Sequence, residues 1–234
     1  MVTLVSYETS TDQDRQTSLM QDAVRLLLLL NTASEPVSDP PPSEAPADSV
    51  GVVRGQVLLQ KLDFWVRNPD YLANELLNRY ESDRDEADLN LARRILESDE
   101  PEIRSYPMLR HLFGAYEPLD EALAVLATPG LAFARRQGES GKTTLWNYYV
   151  TAVGREAAEH AIAEVPALHY YVDRTQLVVD LAAGRRGTAL KDIQYLQAEY
   201  ADTALGRLIA SIATRTRSRL EDITRNSLGG QVSA

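Results

Sequence analysis

Cysteine is absent from the 234 residues. That excludes disulfides and thiolate metal sites, and it fits a reducing compartment. Long apolar runs are also missing. The most apolar stretch, Ala23 to Leu30, is interrupted by Arg25 and falls far short of the ~20 residues that a membrane span needs. The opening Met1-Val-Thr-Leu-Val-Ser-Tyr7 carries no basic region of the kind that starts a signal peptide. A cytoplasmic location, with no membrane contact, is the expectation. Histidine is scarce: His111, His160 and His169 stand far apart without a carboxylate at ligand spacing, so no metal site is expected. There is no Gly-x-Ser-x-Gly elbow and no histidine in a nucleophile setting. Neither an active site nor a cofactor is expected.

Positive charge is in deficit. Acidic residues number 34 against 24 basic ones, leaving a net charge of −10. A surface of that sign repels nucleic acid, so any DNA contact must come from a local patch. It is better suited to binding another protein.

What is present is mainly helix-forming. Residues 12–31 read as one helix, acidic in its first turn and stopped near Asn31. Pro36, Pro40, Pro41, Pro42 and Pro46 then break every pattern, and the spacing predicts a disordered or extended linker over 33–50. From Val52 to Leu77 apolar residues fall at helical spacing. Asn68-Pro69 divides that run into two helices, because a residue before proline is pushed out of the helical region. The acidic stretch 81–102 contains one short amphipathic helix through Leu89, Leu91, Ile95 and Leu96, with its charges solvated. Met108, Leu109, Leu112, Phe113 and Tyr116 suggest a helical face ending at Glu117-Pro118. A helix follows from Leu119 to Ala127, stopped by Pro129-Gly130.

The period then changes from helical to two. Leu131, Phe133 and Arg135 alternate with Ala132, Ala134 and Arg136, and a second β-prone run spans Thr143 to Val150. Between them lies the polar turn Gln137-Gly-Glu-Ser-Gly-Lys142. Two such runs around a glycine-bearing turn predict a hairpin. Thr151 is placed to cap a helix from Val153 to Glu164, with Val153, Ala157, Ala161 and Ile162 on its inner side. Further helices are expected over Leu168–Ala183, Leu190–Tyr200 and from Leu205 to about Ile223, before a free tail.

Gly138-Glu-Ser-Gly-Lys-Thr-Thr144 ends like a phosphate-binding loop. Such a loop needs an earlier glycine, here replaced by Arg136, and a helix directly after it, here a strand pattern. The hairpin turn is the better reading. Arg135, Arg136 and Lys142 put positive charge on or near the hairpin tip. Two readings stand for them, contact with a DNA backbone or a solvated tip whose charges protect a sheet edge. Arg185 and Arg186 form a second basic pair, whereas Arg215, Arg217 and Arg219 recur every second residue and spread around a solvated helix end. Residues 120–128, acidic and then alanine-rich, lack the side chains that read base edges. Trp65, Trp146, Tyr148 and Tyr149 could form a binding face, but their spacing points to the core.

Helix, helix, hairpin, helix is the order of a winged helix. Gln60-Lys-Leu-Asp-Phe-Trp-Val-Arg-Asn-Pro-Asp-Tyr-Leu72, Tyr106-Pro-Met-Leu-Arg-His-Leu-Phe-Gly-Ala-Tyr-Glu-Pro118, the hairpin with Gly154-Arg155, and Thr188-Ala-Leu-Lys-Asp-Ile-Gln-Tyr195 occur in that sequence. Together they resemble the winged-helix middle components of ABC-three-component, or Lamassu-like, antiphage defence systems. Tyr116 stands where that family carries tryptophan.

The resemblance implies a non-catalytic adaptor that links an SMC- or RecN-like ATPase subunit to an effector subunit, or to DNA. The alternative is a winged-helix transcription regulator that binds DNA. The expected fold is mainly α: a winged helix-turn-helix unit with one β-hairpin wing and a flanking helical bundle. Along the chain this gives an N-terminal helix (1–32), the linker (33–50), the winged-helix domain (51–165), a helical region (166–226) and a flexible tail (227–234). The residues expected to touch DNA or a partner are Arg135, Arg136, Lys142, Arg185 and Arg186.

Overall fold

The computed structural model describes residues 5–98, 109–111, 114–116, 119–138, 145–182, 203–204 and 210–231. They are mainly helical, with a four-stranded antiparallel sheet and a separate two-stranded hairpin. Contacts group the chain into two units, residues 1–62 with 118–187 and residues 63–117 with 188–234. Each draws on two separated stretches of sequence, where the expected segments were consecutive. No helix among the described residues is long and apolar enough to cross a membrane.

The first unit is built on helix α1 (Val5–Ala33), which extends beyond the expected 12–31 at both ends. Leu26 to Leu30 are all buried. A helix apolar on every side must be surrounded, and α1 contacts three later helices and two strands. Strands β1 (Glu35–Pro36) and β2 (Ser49–Arg54) follow. The segment 33–50, expected as a disordered linker, therefore ends in paired strands: Glu35 lies opposite Val52, and Pro36 opposite Gly51. Turn bonds from Ala45 N–H to Pro42 C=O (2.9 Å) and from Ser49 N–H to Pro46 C=O (3.3 Å) shape the part between. Proline excludes a helix there, but it is tolerated in turns and on an edge strand.

The helix expected from Val52 is another correction. Val52 and Val53 are in β2, opposite Tyr149 and Tyr148, where β-branched side chains pack well. Helix α2 (Gln56–Arg67) begins only after Gly55, whose φ of +95° suits glycine and breaks the strand.

Helix α3 (Pro69–Asp83), helix α4 (Glu86–Glu97) and the small strands β3 (Leu109–His111) and β4 (Gly114–Tyr116) belong to the second unit. Asn68-Pro69 separates α2 from α3 as expected, with proline in the first turn of α3. The Asn68 Nδ2 donates to Phe64 C=O at 2.7 Å. Leu109–His111 and Gly114–Tyr116 do not form the expected helix. Leu109 pairs with Tyr116 and His111 with Gly114 across a two-stranded hairpin. Gly114 and the bounding Pro107 and Pro118 disfavour a helix over so short a segment. Met108, Leu112 and Phe113 lie outside the described residues.

Helix α5 (Asp120–Ala127) returns to the first unit, with Leu119, Ala122, Leu123 and Leu126 buried as expected. The expected hairpin is present as β5 (Ala132–Gln137) and β6 (Leu145–Thr151), and the sheet order is β1-β2-β6-β5. Helix α6 (Ala152–Glu164) starts at Thr151, whose Oγ1 accepts from Gly154 N–H at 3.0 Å.

Its inner face is Gly154 and Ala158, not the expected one through Val153, which is exposed. The face is set by Gly154. A Cβ at that position would lie 2.0 Å from the Leu131 carbonyl oxygen, so only glycine permits the approach. Arg155 Nε reaches Asn31 Oδ1 at 3.4 Å, tying α6 to the end of α1. A short 3₁₀ turn (Pro166–Leu168) leads to helix α7 (His169–Ala182).

The last helix, α8 (Ala213–Gln231), completes the second unit. Ile212 precedes the helix instead of lying within it, and Gly229 and Gly230 extend it where a free tail was expected. The segments Leu190–Tyr200 and Leu205–Ile209 lie outside the described residues.

Candidate interaction surface

The β5–β6 hairpin carries most of the described positions singled out in the sequence. Arg136 lies opposite Trp146, Arg135 opposite Asn147, and Gln137 opposite Leu145. Directly opposed residues share a face of an antiparallel sheet. Trp146 and Arg136 therefore share one face, continuing from Tyr148 and Ala134. Leu145, Gln137, Asn147 and Arg135 share the other.

Burial changes sharply along β6. Asn147 to Thr151 are buried, whereas Leu145 is 54% exposed and Trp146 42%. Trp65, Tyr148 and Tyr149 are core residues as expected; Trp146 is not. Its main chain is nonetheless fixed, with Gly55 N–H donating to Trp146 C=O at 3.0 Å. The hairpin end thus presents an indole, a leucine and a guanidinium on an ordered backbone. Exposed aromatic and aliphatic side chains beside an arginine suit a protein partner.

The two arginines differ. Arg136 is exposed, while Arg135 is half-buried and folded back. Its guanidinium carbon lies 4.7 Å from the centre of the Phe133 ring, and Nη1 donates to Ala134 C=O at 3.0 Å. A guanidinium committed to a ring face and a carbonyl has fewer donors left for phosphate. Lys142, Arg185 and Arg186 lie outside the described residues. Strand β6 begins at Leu145, the residue after Gly138–Thr144, where a phosphate loop would require a helix start.

Further along the face shared by Arg135, Asn147 Nδ2 donates to Gln137 Oε1 at 2.9 Å. Burial pushes the Tyr149 phenol above its ordinary pKa, and the Glu44 carboxylate of the proline-rich loop pushes it the same way.

The second unit uses its charges internally. Arg217 Nε donates to Leu96 C=O at 3.1 Å, and Arg219 donates to Asn74 Oδ1 at 2.7 Å and to Glu81 at 2.7 Å. The expectation that these arginines spread around a solvated helix end is corrected for both, because they fasten α8 to α3 and α4. Asp88 departs from the solvated acidic run: its side chain is buried and paired with both Nε and Nη2 of Arg79. Among the described residues, no group of three or more His, Asp or Glu side chains could hold a metal ion.

Sequence reasoning missed Leu145 and Trp146 as surface residues. The available signal was position: both lie at the turn end of β6, beyond the residues that can be covered by helices. No family model, curated protein or solved structure matches the chain.

Proposed function

We propose that this chain is a non-catalytic winged-helix adaptor subunit that links an SMC- or RecN-like ATPase to an effector, or to DNA, in antiphage defence. The observation that carries the reading is the hairpin. Two paired strands lie between helices α5 and α6 and end in exposed Leu145 and Trp146 beside Arg136. Strand β2, which precedes the helices, pairs with the returning strand β6. This pairing, within a four-stranded sheet that includes β1, supports the winged-helix reading. The short motifs around Gln60–Leu72, Tyr106–Pro118 and Gly154-Arg155 support the same family. On this reading ATP chemistry belongs to a partner chain.

Helix α5 argues for a protein partner ahead of base reading. Asp120 and Glu121 are on its exposed side, and carboxylates facing phosphate are repelled. A transcription regulator would need the opposite charge there.

Co-purification from the native operon tests the proposal. A large ATPase with a long coiled coil is expected to come with the chain. The Leu145→Ser/Trp146→Ser double variant is expected to recover at least about tenfold less of it, since buried aromatic anchors dominate interface energy. Absence of any such ATPase from the wild-type preparation overturns the reading.

A further inference from the structure

We propose that the outer edge of β5 is a docking edge for an extended, acidic segment of a partner protein, and that Arg135 closes this edge until the segment arrives. The inference deepens the adaptor reading and rests on it, because it states how the partner is held.

β5 is the last strand in the sheet order β1-β2-β6-β5, so among the described residues one side of it has no strand neighbour. The phase of the ladder fixes which groups face that side. Thr151 N–H donates to Leu131 C=O at 3.1 Å, and bonded pairs alternate along an antiparallel ladder. Phe133, Arg135 and Gln137 therefore bond to β6. Ala134 and Arg136 turn their N–H and C=O groups outward to accessible positions, whereas Ala132, in the same phase, is wholly buried. Such a row is a template for an added strand.

Arg135 occupies the centre of that template. Its Nη1 takes the outward carbonyl of Ala134 at 3.0 Å, while its guanidinium rests on the Phe133 ring at 4.7 Å. A neutral incoming strand must displace this bond and gains only another neutral bond in return. A carboxylate offers the guanidinium a charge-assisted, two-pronged bond, which is stronger than one bond to a carbonyl. An acidic segment can therefore draw Arg135 off the edge and leave Ala134 C=O for its own main chain. Arg136, one residue on, presents a second cation on the opposite face. The edge is locally positive on a chain of net charge −10. A second copy pairing β5 to β5 would gather four arginines along one seam, and like charges oppose that pairing. Charge thus selects an acidic partner over self-association.

The probe is a fluorescent peptide alternating valine with glutamate, read by anisotropy against the full chain. Versions carrying glutamine or lysine for glutamate, and one with alternate amides N-methylated, accompany it. The glutamate peptide is expected to bind, with the lysine and N-methylated peptides at least about tenfold weaker. Ala134→Pro removes an outward N–H without touching the ladder to β6, and it is expected to weaken the glutamate peptide by a similar factor. Arg135→Ala opens the edge, so the preference for glutamate over glutamine should narrow by roughly tenfold.

If Ala134→Pro fails to fold, the N-methylated peptide decides the main-chain question on the wild-type chain. Binding that ignores both changes overturns the proposal, as does failure of the glutamate peptide to bind either wild type or Arg135→Ala. Duplex DNA displacing the peptide and binding Ala134→Pro undiminished would assign the edge arginines to nucleic acid. A wild-type dimer lost in Ala134→Pro would assign the edge to a second copy, and either result also sinks the idea. Failure of the peptide while the ATPase still co-purifies removes the edge but keeps the adaptor reading. Peptide binding without a co-purifying ATPase does the reverse.

Discussion

The main-chain N–H of Ile212 donates to the Asp70 carboxylate at 2.7 Å, across 142 residues of sequence. Ser211 Oγ donates to the same oxygen at 2.7 Å, and the other oxygen accepts from Tyr71 N–H at 2.9 Å. One carboxylate thus sits in the first turn of α3 and against the first residue before α8. Negative charge is favourable at both positions, because each helix start exposes unpaired N–H groups. Asp70→Ala is expected to cost about 3 kcal/mol in urea unfolding, and Asp70→Asn, which keeps an acceptor, about half of that. Equal costs for the two variants would contradict the capping role.

Gly154→Ala should be far more damaging than its size suggests. The new Cβ would meet a backbone oxygen at 2.0 Å, and backbone cannot rotate aside as a side chain can. A loss above ~3 kcal/mol is expected. Thr151→Ala, which deletes the cap and the hydroxyl's bond to Gly130 C=O at 2.7 Å, should cost ~2 kcal/mol. Thermal melting of the two variants side by side checks the ranking.

Arg79 is held above its ordinary pKa first by its hydrogen bond to Asp88, whose side chain is almost wholly buried. Removing the cation strands a buried carboxylate. Arg79→Met is expected to lose ~3 kcal/mol, and Arg79→Met/Asp88→Leu to regain most of it. A double variant no more stable than the single one would show that the pair matters for more than mutual charge compensation.

Tyr149 sets an alkaline limit. Burial, the larger cause, and the Glu44 carboxylate both raise its phenol above the usual value near 10. A raised folded pKa means that the folded chain holds the proton longer than the unfolded one. Stability from this group is full below about pH 10 and falls as pH climbs from there towards the folded pKa. In Tyr149→Phe that part of the decline should vanish. Denaturant midpoints measured from pH 9 upward provide the comparison.

The two tryptophans report separately. Trp65 is buried, and Trp146 is 42% exposed. Acrylamide should quench a red-shifted component that disappears in Trp146→Phe, leaving a blue-shifted, protected emission from Trp65. Binding of the co-purified ATPase should shield the quenchable component.

Much of the local structure could be read from residue order. Alternation through residues 131–150 foretold the hairpin, Asn68-Pro69 the break between α2 and α3, and Thr151 the start of α6. These are local signals, fixed by main-chain geometry. β2 was hidden because Ser49–Arg54 is short and adjoins a helical run, so Val52 and Val53 joined the helical count. Its strand state comes from pairing with β6, about a hundred residues later in the chain. Leu109 to Tyr116 matched helical spacing as well as a hairpin, and periodicity over eight residues does not decide between them. The roles of Arg135, Arg217 and Arg219 depend on a carbonyl, a ring or a side chain brought near by folding. In sequence they were only positive charges.

The position of α1 sets an order of events in synthesis. Leu26 to Leu30 leave the ribosome early, yet the α5, α6 and α7 helices that cover them follow only after residues 63–117, which go to the other unit. At roughly 5–20 residues per second, the wait is of order ten seconds. A nascent chain halted before residue 119 should hold an oily helix with little cover and bind a holding chaperone. Release of the same ribosomes past that point should free it.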